Sequence, residues 1–328
     1  MALTDAFGGP RRETLAVLPT PLIATPRLAS TMGIRGRLFV KRDDLTGFAV
    51  AGNKARALEP LIADALARRA TVVVTGGTAG SNFCQAASAA AAWAGMRCVL
   101  VLAGDESRHP NLSAARHWGA DVRWTGDPDR STVDTSLESV ASELRLAGER
   151  PYVCPRGGAT ALGASGFHRA AGELHAQLQV TGPTTVVIPV GSGGSVAGLI
   201  SGTIALGRPW TVAGASVSRP PDESVGRILE LAAGCARLYD TAPPARDDIR
   251  LIDARGPGHG LASTEGIAAS DSALRAEGLV LDPVYSAKAL GAMRQILGEA
   301  RHDPTATTIF WHTGGLLDAV AGWEQHDH

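Results

Sequence analysis

Short apolar stretches alternate with longer segments of helical periodicity along this chain of 328 residues. The apolar stretches predict buried strands at residues 37–41, 71–75, 98–102, 122–124, 184–190, 210–216 and 307–311. The segments between them predict helices at residues 54–69, 81–94, 112–118, 131–147, 164–178 and 196–206. Strands that are joined through helices are typical of parallel sheets. The pattern therefore predicts an α/β fold built on open parallel sheets.

Three glycine-rich turns directly follow predicted strands, at residues 76–82, 191–195 and 312–315. In open parallel sheets ligands bind beyond the carboxyl ends of the strands, so the turns predict one binding crevice. The turn at 191–195 (GSGGS) also opens a helix, and its backbone N–H groups are suited to holding a phosphate. It has neither the Gly-Lys-Ser/Thr ending of a P-loop nor the spacing of a dinucleotide fingerprint. A dinucleotide is therefore not the preferred ligand.

Lysine is rare, since only Lys41, Lys54 and Lys288 occur among 31 basic residues. A lysine amine can form an imine with an aldehyde, whereas the arginine side chain stays protonated. Lys54 follows Gly52 and Asn53 at the predicted start of a helix. An imine-forming lysine together with a phosphate-binding turn indicates pyridoxal 5′-phosphate as the cofactor.

Composition narrows the function classes further. Hydrophobic residues make up 45% of the chain, enough for a sizeable core. The formal net charge of −1 argues against binding to nucleic acid or to an anionic membrane. The beginning of the chain lacks a secretory signal pattern, and no apolar run reaches the length of a membrane span. The spacing of the four cysteines does not match a metal-binding motif, and Cys98 and Cys154 are predicted to be buried thiols. We expect a cytoplasmic protein without a metal site, with residues 220–222 and 241–248 as surface excursions.

Several motifs, in this order along the chain, resemble those of the fold-type II pyridoxal-phosphate enzymes. Within that family the match is to the group that contains 1-aminocyclopropane-1-carboxylate deaminase and D-cysteine desulfhydrase. The motifs are LPTPL from Leu18, KRDDLTG from Lys41, GNK from Gly52, GG at 76–77, SN at 81–82, GG at 157–158, GA at 163–164, GSGGS from Gly191, LDPVY from Leu281 and HTGG from His312.

The resemblance implies two open-sheet α/β domains with the cofactor in the cleft between them. Residues 1–51 and 166–328 would form the larger, pyridoxal-phosphate-binding domain, and residues 52–165 the smaller one. We also expect a homodimer that acts on a small amino acid.

The resemblance further implies roles for individual residues. Lys54 would hold the cofactor and later move the α-proton, Ser81 would bind the substrate carboxylate, and Tyr285 would stack near the ring and the substrate. The remaining cofactor contacts would be Asn82 at the phenolate oxygen, Thr313 at the pyridine nitrogen, and Gly191, Ser192, Gly193, Gly194 and Ser195 around the phosphate. Structural alternatives remain open: Asn82 as a helix cap, Tyr285 as a core aromatic and Thr313 as a hydroxyl bonded to backbone.

Three departures from the family pattern bear on the reaction. Ser286 stands where the deaminase has a glutamate, so the pyridine nitrogen would face neutral hydroxyls and the ring would be a weaker electron sink. This favours elimination of a β leaving group over cyclopropane opening. His259 stands where relatives carry a tyrosine, and as a catalytic acid it would titrate near its ordinary pKa of about 6.5. Phe83 and Gln85 replace more polar and basic family residues, which predicts a more apolar, less basic pocket.

Three functions remain open at this point. The leading hypothesis is a lyase or deaminase that converts a small amino acid with a β leaving group into a 2-oxo acid and ammonia. The second is a pyridoxal-phosphate-dependent β-replacement synthase of specialised metabolism. The third is a non-catalytic protein that binds an anion or nucleotide, which Lys54 disfavours because arginine would serve an anion equally well.

Overall fold

Two separate sheets organise the computed structural model, which describes residues 8–324. The strands are β1 (Leu22–Ala24), β2 (Arg37–Arg42), β3 (Val72–Gly77), β4 (Arg97–Leu102), β5 (Asp121–Trp124), β6 (Pro151–Val153), β7 (Thr184–Val190), β8 (Thr211–Ser216), β9 (Arg250–Asp253) and β10 (Thr307–His312). The helices are α1 (Pro26–Met32), α2 (Lys54–Ala67), α3 (Asn82–Trp93), α4 (Pro110–His117), α5 (Ser131–Leu146), α6 (Ala161–Gln177), α7 (Gly194–Ala205), α8 (Pro221–Leu238), α9 (Thr264–Glu277), α10 (Ser286–Gly291), α11 (Met293–Leu297) and α12 (Leu316–Glu324).

The smaller sheet has the strand order β5-β4-β3-β6 and is parallel throughout. The larger sheet has the order β1-β2-β10-β7-β8-β9, in which only β1 is antiparallel to its neighbour. The predicted α/β class with parallel sheets is therefore confirmed. The strands of the larger sheet come from both ends of the described chain, and those of the smaller sheet from its middle.

Side chains that alternate along the strands build a core on both faces of each sheet. In β3, Val73 packs with the cluster that includes α2 and α3, while Val72 and Val74 face the cluster of α5. In β10, Phe310 faces the cluster of α1, α9 and α10, and Ile309 faces α6 and α7. A strand buried on both faces carries a nearly continuous apolar run, which explains why these strands were readable from the sequence.

Every predicted strand and helix is present, with ends that differ by a few residues. The expectation that residues 220–222 form a surface excursion is wrong, because Pro221 and Asp222 begin α8. Proline fits the first turn of a helix, since its missing N–H has no partner there anyway. The domain bounds 1–51 with 166–328 and 52–165 stay a prediction, and the junction at 165/166 falls within α6.

Candidate active site

A cavity lies where the three glycine-rich turns meet, beyond the carboxyl ends of β3, β7 and β10. Residues of all three turns line it, as the sequence predicted, together with the beginning of α2 and the segment that leads into α10. The predicted site residues that line it are Lys54, Ser81, Asn82, Gly191, Ser192, Gly193, Ser195, His259, Tyr285 and Thr313. Gly194 completes the turn as the first residue of α7.

Lys54 is the first residue of α2, and its amine faces the cavity. Among the described residues no hydrogen-bond or ion-pair partner is found for that amine. Burial lowers the pKa of Lys54 to about 8, an effect that the nearby carboxylate of Asp282 partly opposes. The helix start is fixed by a hydrogen bond from the Asn53 N–H to the Thr313 carbonyl (3.0 Å). Gly52 has φ +54°, and an added Cβ would lie 2.4 Å from the Thr313 oxygen, so the close approach requires glycine.

The turn at 191–195 connects β7 to α7 and bends at Gly193, which has φ +92°. Within residues 8–324 the backbone N–H groups of residues 192–195 have no hydrogen-bond acceptor, as expected at the beginning of a helix. The Ser218 hydroxyl donates to the Gly191 carbonyl (3.1 Å), and the Asn53 amide donates to the Ser195 hydroxyl (3.1 Å). The turn is thus held from outside while its N–H groups remain available for an anion.

Tyr285 is positioned by a buried carboxylate. Asp282 accepts hydrogen bonds from the N–H groups of Val284 (3.1 Å), Tyr285 (2.7 Å) and Ser286 (2.8 Å). Burial raises the pKa of Asp282 above its ordinary value. The Tyr285 ring lies against Gly191, where a Cβ would be 3.0 Å from the ring. Tyr285 therefore belongs to the cavity wall, and burial raises its own pKa as well.

Two neutral hydroxyls lie together where α10 meets the turn after β10. The oxygens of Ser286 and Thr313 are 3.2 Å apart, and both side chains are largely buried. The Ser286 hydroxyl also approaches the Gly314 carbonyl (3.4 Å). The wall that holds Thr313 thus carries a pair of neutral hydroxyls, one of them at Ser286, where the family resemblance led us to expect a departure from glutamate.

His259 faces the cavity, but the expected pKa near 6.5 is wrong. Its Nε2 lies 3.4 Å from the Tyr285 hydroxyl. Burial, and then the charges of Arg130, Lys288 and Arg219, lower the pKa of His259 to about 4, so the ring is neutral at pH 7. Lys288 holds the His259 loop in place, because its amine donates to the carbonyls of Arg255 (2.6 Å) and Gly258 (2.7 Å).

Ser81, rather than Asn82, caps α3. The Ser81 hydroxyl accepts a hydrogen bond from the Cys84 N–H (3.2 Å). The Asn82 amide instead donates to Asp318 (3.0 Å), and Asn111 donates to both Asn82 (3.2 Å) and Asp318 (2.8 Å). Burial raises the pKa of Asp318 to about 7. The sequence analysis missed Asn111 and Asp318 because nothing local links them to Asn82.

The expectation of a less basic pocket is also wrong. Phe83 does line the cavity, whereas Gln85 is buried and donates to the Ala49 carbonyl (2.5 Å). Arginines from distant parts of the chain restore the positive charge, namely Arg130, Arg156, Arg219 and Arg227. A signal existed for two of them, since Arg156 follows β6 and Arg219 follows β8, at the same sheet edges as the glycine turns.

Comparison with known proteins places this cavity in a family. The family model described as pyridoxal-phosphate dependent enzyme matches residues 13–314. The chain belongs to the pyridoxal-phosphate-dependent enzymes. A D-cysteine desulfhydrase of Salmonella choleraesuis is 34% identical over 331 residues, covering 97% of both chains.

Two solved structures share the fold. A crystal structure described as that of an ACC deaminase homologue superimposes with a TM-score of 0.89 at 31% identity, and covers 100% of this chain and 99% of its own. A fungal L-serine ammonia-lyase from Rhizomucor miehei has a TM-score of 0.69 at 16% identity and covers 96% of this chain and 99% of its own. That second likeness concerns the fold alone.

The residues present fit pyridoxal phosphate. The helix α7 begins at a glycine turn whose N–H groups are free for a phosphate, and a Cβ on Gly157 would lie 2.5 Å from the Ser192 hydroxyl at that turn. Across the same cavity Lys54 offers an amine without a partner. Among residues 8–324 no cluster of potential metal ligands occurs, and in the same part of the chain no helix combines the length and apolar character of a membrane span.

Proposed function

We propose that this pyridoxal-phosphate-dependent enzyme is a lyase that eliminates the β-substituent of a small amino acid and releases a 2-oxo acid and ammonia. When bound, the cofactor supplies an aldehyde that captures amines and a conjugated ring that accepts electrons from the α-carbon. The similarity to the D-cysteine desulfhydrase, 34% over nearly the whole chain, supports a substrate of this class.

The hydroxyl pair of Ser286 and Thr313, 3.2 Å apart, carries the proposal. The family resemblance assigns this wall to the pyridine nitrogen. Neutral hydroxyls do not keep that nitrogen protonated, so less charge is stabilised at the α-carbon than a carboxylate would allow. The buried carboxylate of Asp282 is already engaged by three backbone N–H groups. Such a site suits a reaction in which the bond to a leaving group breaks as soon as the α-proton is removed.

Lys54 and the Tyr285–His259 pair divide the proton transfers between them in this proposal. Burial lowers the pKa of Lys54 to about 8, so about a tenth of the amine is neutral at pH 7 and can take the α-proton. The Tyr285 hydroxyl, whose oxygen lies 3.4 Å from His259 Nε2, would donate the proton to the departing β-substituent. Ser81 and Asn82, on the turn after β3, would orient the substrate carboxylate and the cofactor oxygen.

A turnover screen of the holoenzyme tests this function. Both enantiomers of cysteine, β-chloroalanine, serine and cysteate would be assayed for a 2-oxo acid and ammonia, with 1-aminocyclopropane-1-carboxylate as the ring-opening substrate. We expect pyruvate and ammonia in equal amounts from at least one β-substituted amino acid. Ring opening as the main activity, or a product in which an added thiol replaces the β-substituent without ammonia release, would contradict the proposal.

The proposal extends to assembly, location and domain division. We expect a homodimer, to be checked by sedimentation, that acts in the cytoplasm.

We also propose that residues 52–165 form the smaller domain and residues 1–51 with 166–328 the larger one. The separation of the two sheets along the chain supports this division, and limited proteolysis that releases the 52–165 segment intact would test it.

A further inference from the structure

Four arginines from separate segments of the chain line the active-site cavity. Arg130 precedes α5, Arg156 follows β6, Arg219 follows β8, and Arg227 lies on α8. Burial, and then the charges of Arg227, Arg156 and Arg130, lower the pKa of Arg219, which shows that the four charges act on one another. All four side chains are partly buried. The folded chain therefore holds four mutually repelling positive charges at this cavity.

The carboxylates near these arginines do not balance them. Arg156 is paired with Asp134 (2.5 Å). Within residues 8–324 the side chains of Arg130, Arg219 and Arg227 have no hydrogen-bond or ion-pair partner, and the Nε atom of Arg227 is buried without an acceptor. A guanidinium matches an oxyanion through two parallel N–H bonds, so unpartnered arginines around a cavity are complementary to an anion that enters it.

Arg156 and Arg227 have chain neighbours that contact the glycine turn. Gly157, next to Arg156, contacts Ser192 of the glycine turn, and Ile228, next to Arg227, lies against Gly193. That pair flanks the turn that suits the cofactor phosphate.

Arg130 and Arg219 line the cavity together with the His259–Tyr285 pair. Ser218, next to Arg219, donates to the Gly191 carbonyl (3.1 Å), and the Tyr285 ring lies against Gly191. In agreement with this geometry, the charges of Arg130 and Arg219 contribute to the lowered pKa of His259. A β-substituent that leaves next to the His259–Tyr285 pair would therefore leave into a cavity that both arginines line.

We propose that Arg130 and Arg219 form a subsite for a negatively charged β-substituent, so that the preferred substrates are amino acids whose side chain ends in a sulfonate, phosphate or comparable oxyanion. This inference rests on the proposed elimination and names its substrate class. With cysteate, the Cα–H and Cβ–S bonds break, and the electron pair of the Cβ–S bond leaves with the sulfur as sulfite. Water then hydrolyses the remaining three-carbon unit to pyruvate and ammonia. Cysteate and water thus give pyruvate, ammonia and sulfite, and no oxidant or reductant is required.

Paired probes test the subsite in the holoenzyme. Cysteate and O-phosphoserine carry a charged β-substituent, and β-chloroalanine carries a neutral one. In Arg130→Gln and Arg219→Gln, we expect kcat/KM for the charged probes to fall about ten- to a hundredfold more than kcat/KM for β-chloroalanine, as a lost charge-assisted hydrogen bond implies. Arg130→Lys and Arg219→Lys, which keep the charge, should recover part of this difference. The exposed Arg116, which pairs with Glu106 (3.0 Å), gives the control Arg116→Gln, with no change for either class of probe.

Two further measurements separate the possible failures. Cysteate binding is followed by the change in the cofactor's absorption spectrum, which does not require elimination, and cofactor affinity is measured for each variant by equilibrium dialysis. Equal losses for charged and neutral probes, or at least tenfold weaker cofactor binding in the Gln variants, would assign these arginines to the cofactor and overturn the subsite. No turnover of any β-substituted probe, with cysteate binding that still depends on Arg130 and Arg219, would refute the elimination but keep the subsite.

Discussion

Lys41 and Lys54 are separated by only residues 42–53, and both are largely removed from water. They differ in the hydrogen bonds that their amines make. The Lys41 amine is fully buried and donates to the Thr20 carbonyl (2.6 Å), Gln177 (2.7 Å) and the Glu173 carboxylate. The Lys54 amine faces a cavity and has no partner within the described chain. Hydrogen bonds thus engage the Lys41 amine fully, whereas the Lys54 amine remains available for the role that we propose.

The network around Lys41 also supports the site. Arg56 lies on α2 just after Lys54, and it binds Asp43 (2.7 and 2.8 Å) and Glu173 (2.9 Å). Asp43 in turn accepts a hydrogen bond from the Trp311 indole of β10 (2.8 Å). The network thereby fixes the first turn of α2, which carries Lys54, against the larger sheet. Lys288, the third lysine, likewise supports a loop rather than reacting.

The largest expected effect comes from Lys54→Arg. Arginine keeps the charge but cannot form an imine, so this variant should lose the cofactor absorption band and the borohydride-reducible adduct completely. Circular dichroism should show an unchanged fold. Peptide mapping of the reduced wild-type protein should find the cofactor on Lys54. A reducible adduct that persists in Lys54→Arg would place the chemistry at Lys41 or Lys288 and remove the distinction between the lysines.

Lys41→Met should affect stability rather than chemistry. Removal of one partner leaves Glu173 less well compensated in the interior, and the free energy of unfolding should fall by roughly 3–5 kcal/mol. Urea unfolding measures the loss, and the adduct on Lys54 should survive at low temperature. The exposed ion pair Arg68–Asp64 (2.9 Å) provides the comparison, because Arg68→Met should cost less than about 1 kcal/mol. Equal costs at the two positions would mean that the network contributes no more than a surface pair.

His259→Phe should slow the elimination of poor leaving groups by roughly ten- to a thousandfold, and good ones by less, if the His259–Tyr285 pair protonates the leaving group. Because the pKa of His259 is lowered to about 4, the ring is neutral above that pH and gains a proton only as the pH falls through it. The pH–rate profile should therefore show an acidic limb near pH 4, absent in His259→Phe. A limb near 6.5 that disappears in the variant would instead show that the ring is solvated.

The smallest effect is expected for Thr313→Ala. A hydrogen bond between neutral groups contributes roughly 0.5–1.5 kcal/mol, so kcat/KM should fall by about two- to twelvefold. A double-mutant cycle with Ser286→Ala measures the coupling across their 3.2 Å contact. A loss beyond about a hundredfold would imply a charged interaction at this wall and would contradict the weak electron sink.

Local patterns account for much of what could be predicted. The apolar strands, the glycine turns that follow them and the place of Lys54 at the start of a helix could be predicted because each depends on adjacent residues. The helix α8 was missed although Val225, Ile228 and Ala232 recur at helical spacing, because Pro220 and Pro221 suggested a loop. The partners of Asn82 could not be read, since Asn111 and Asp318 reach it from α4 and from α12.

By itself, the sequence determined the α/β class, the family and the cofactor. The period of the hydrophobic residues and the composition of the turns are local properties, and the order of the motifs can be read directly along the chain. Only the tertiary structure decided which lysine has no partner within residues 8–324, that burial lowers the pKa of His259, and that arginines from separate segments make the cavity basic. These properties depend on burial and on charges that are distant in the chain. Desolvation and Coulomb interactions act through space, so they follow the folded geometry rather than the order of residues.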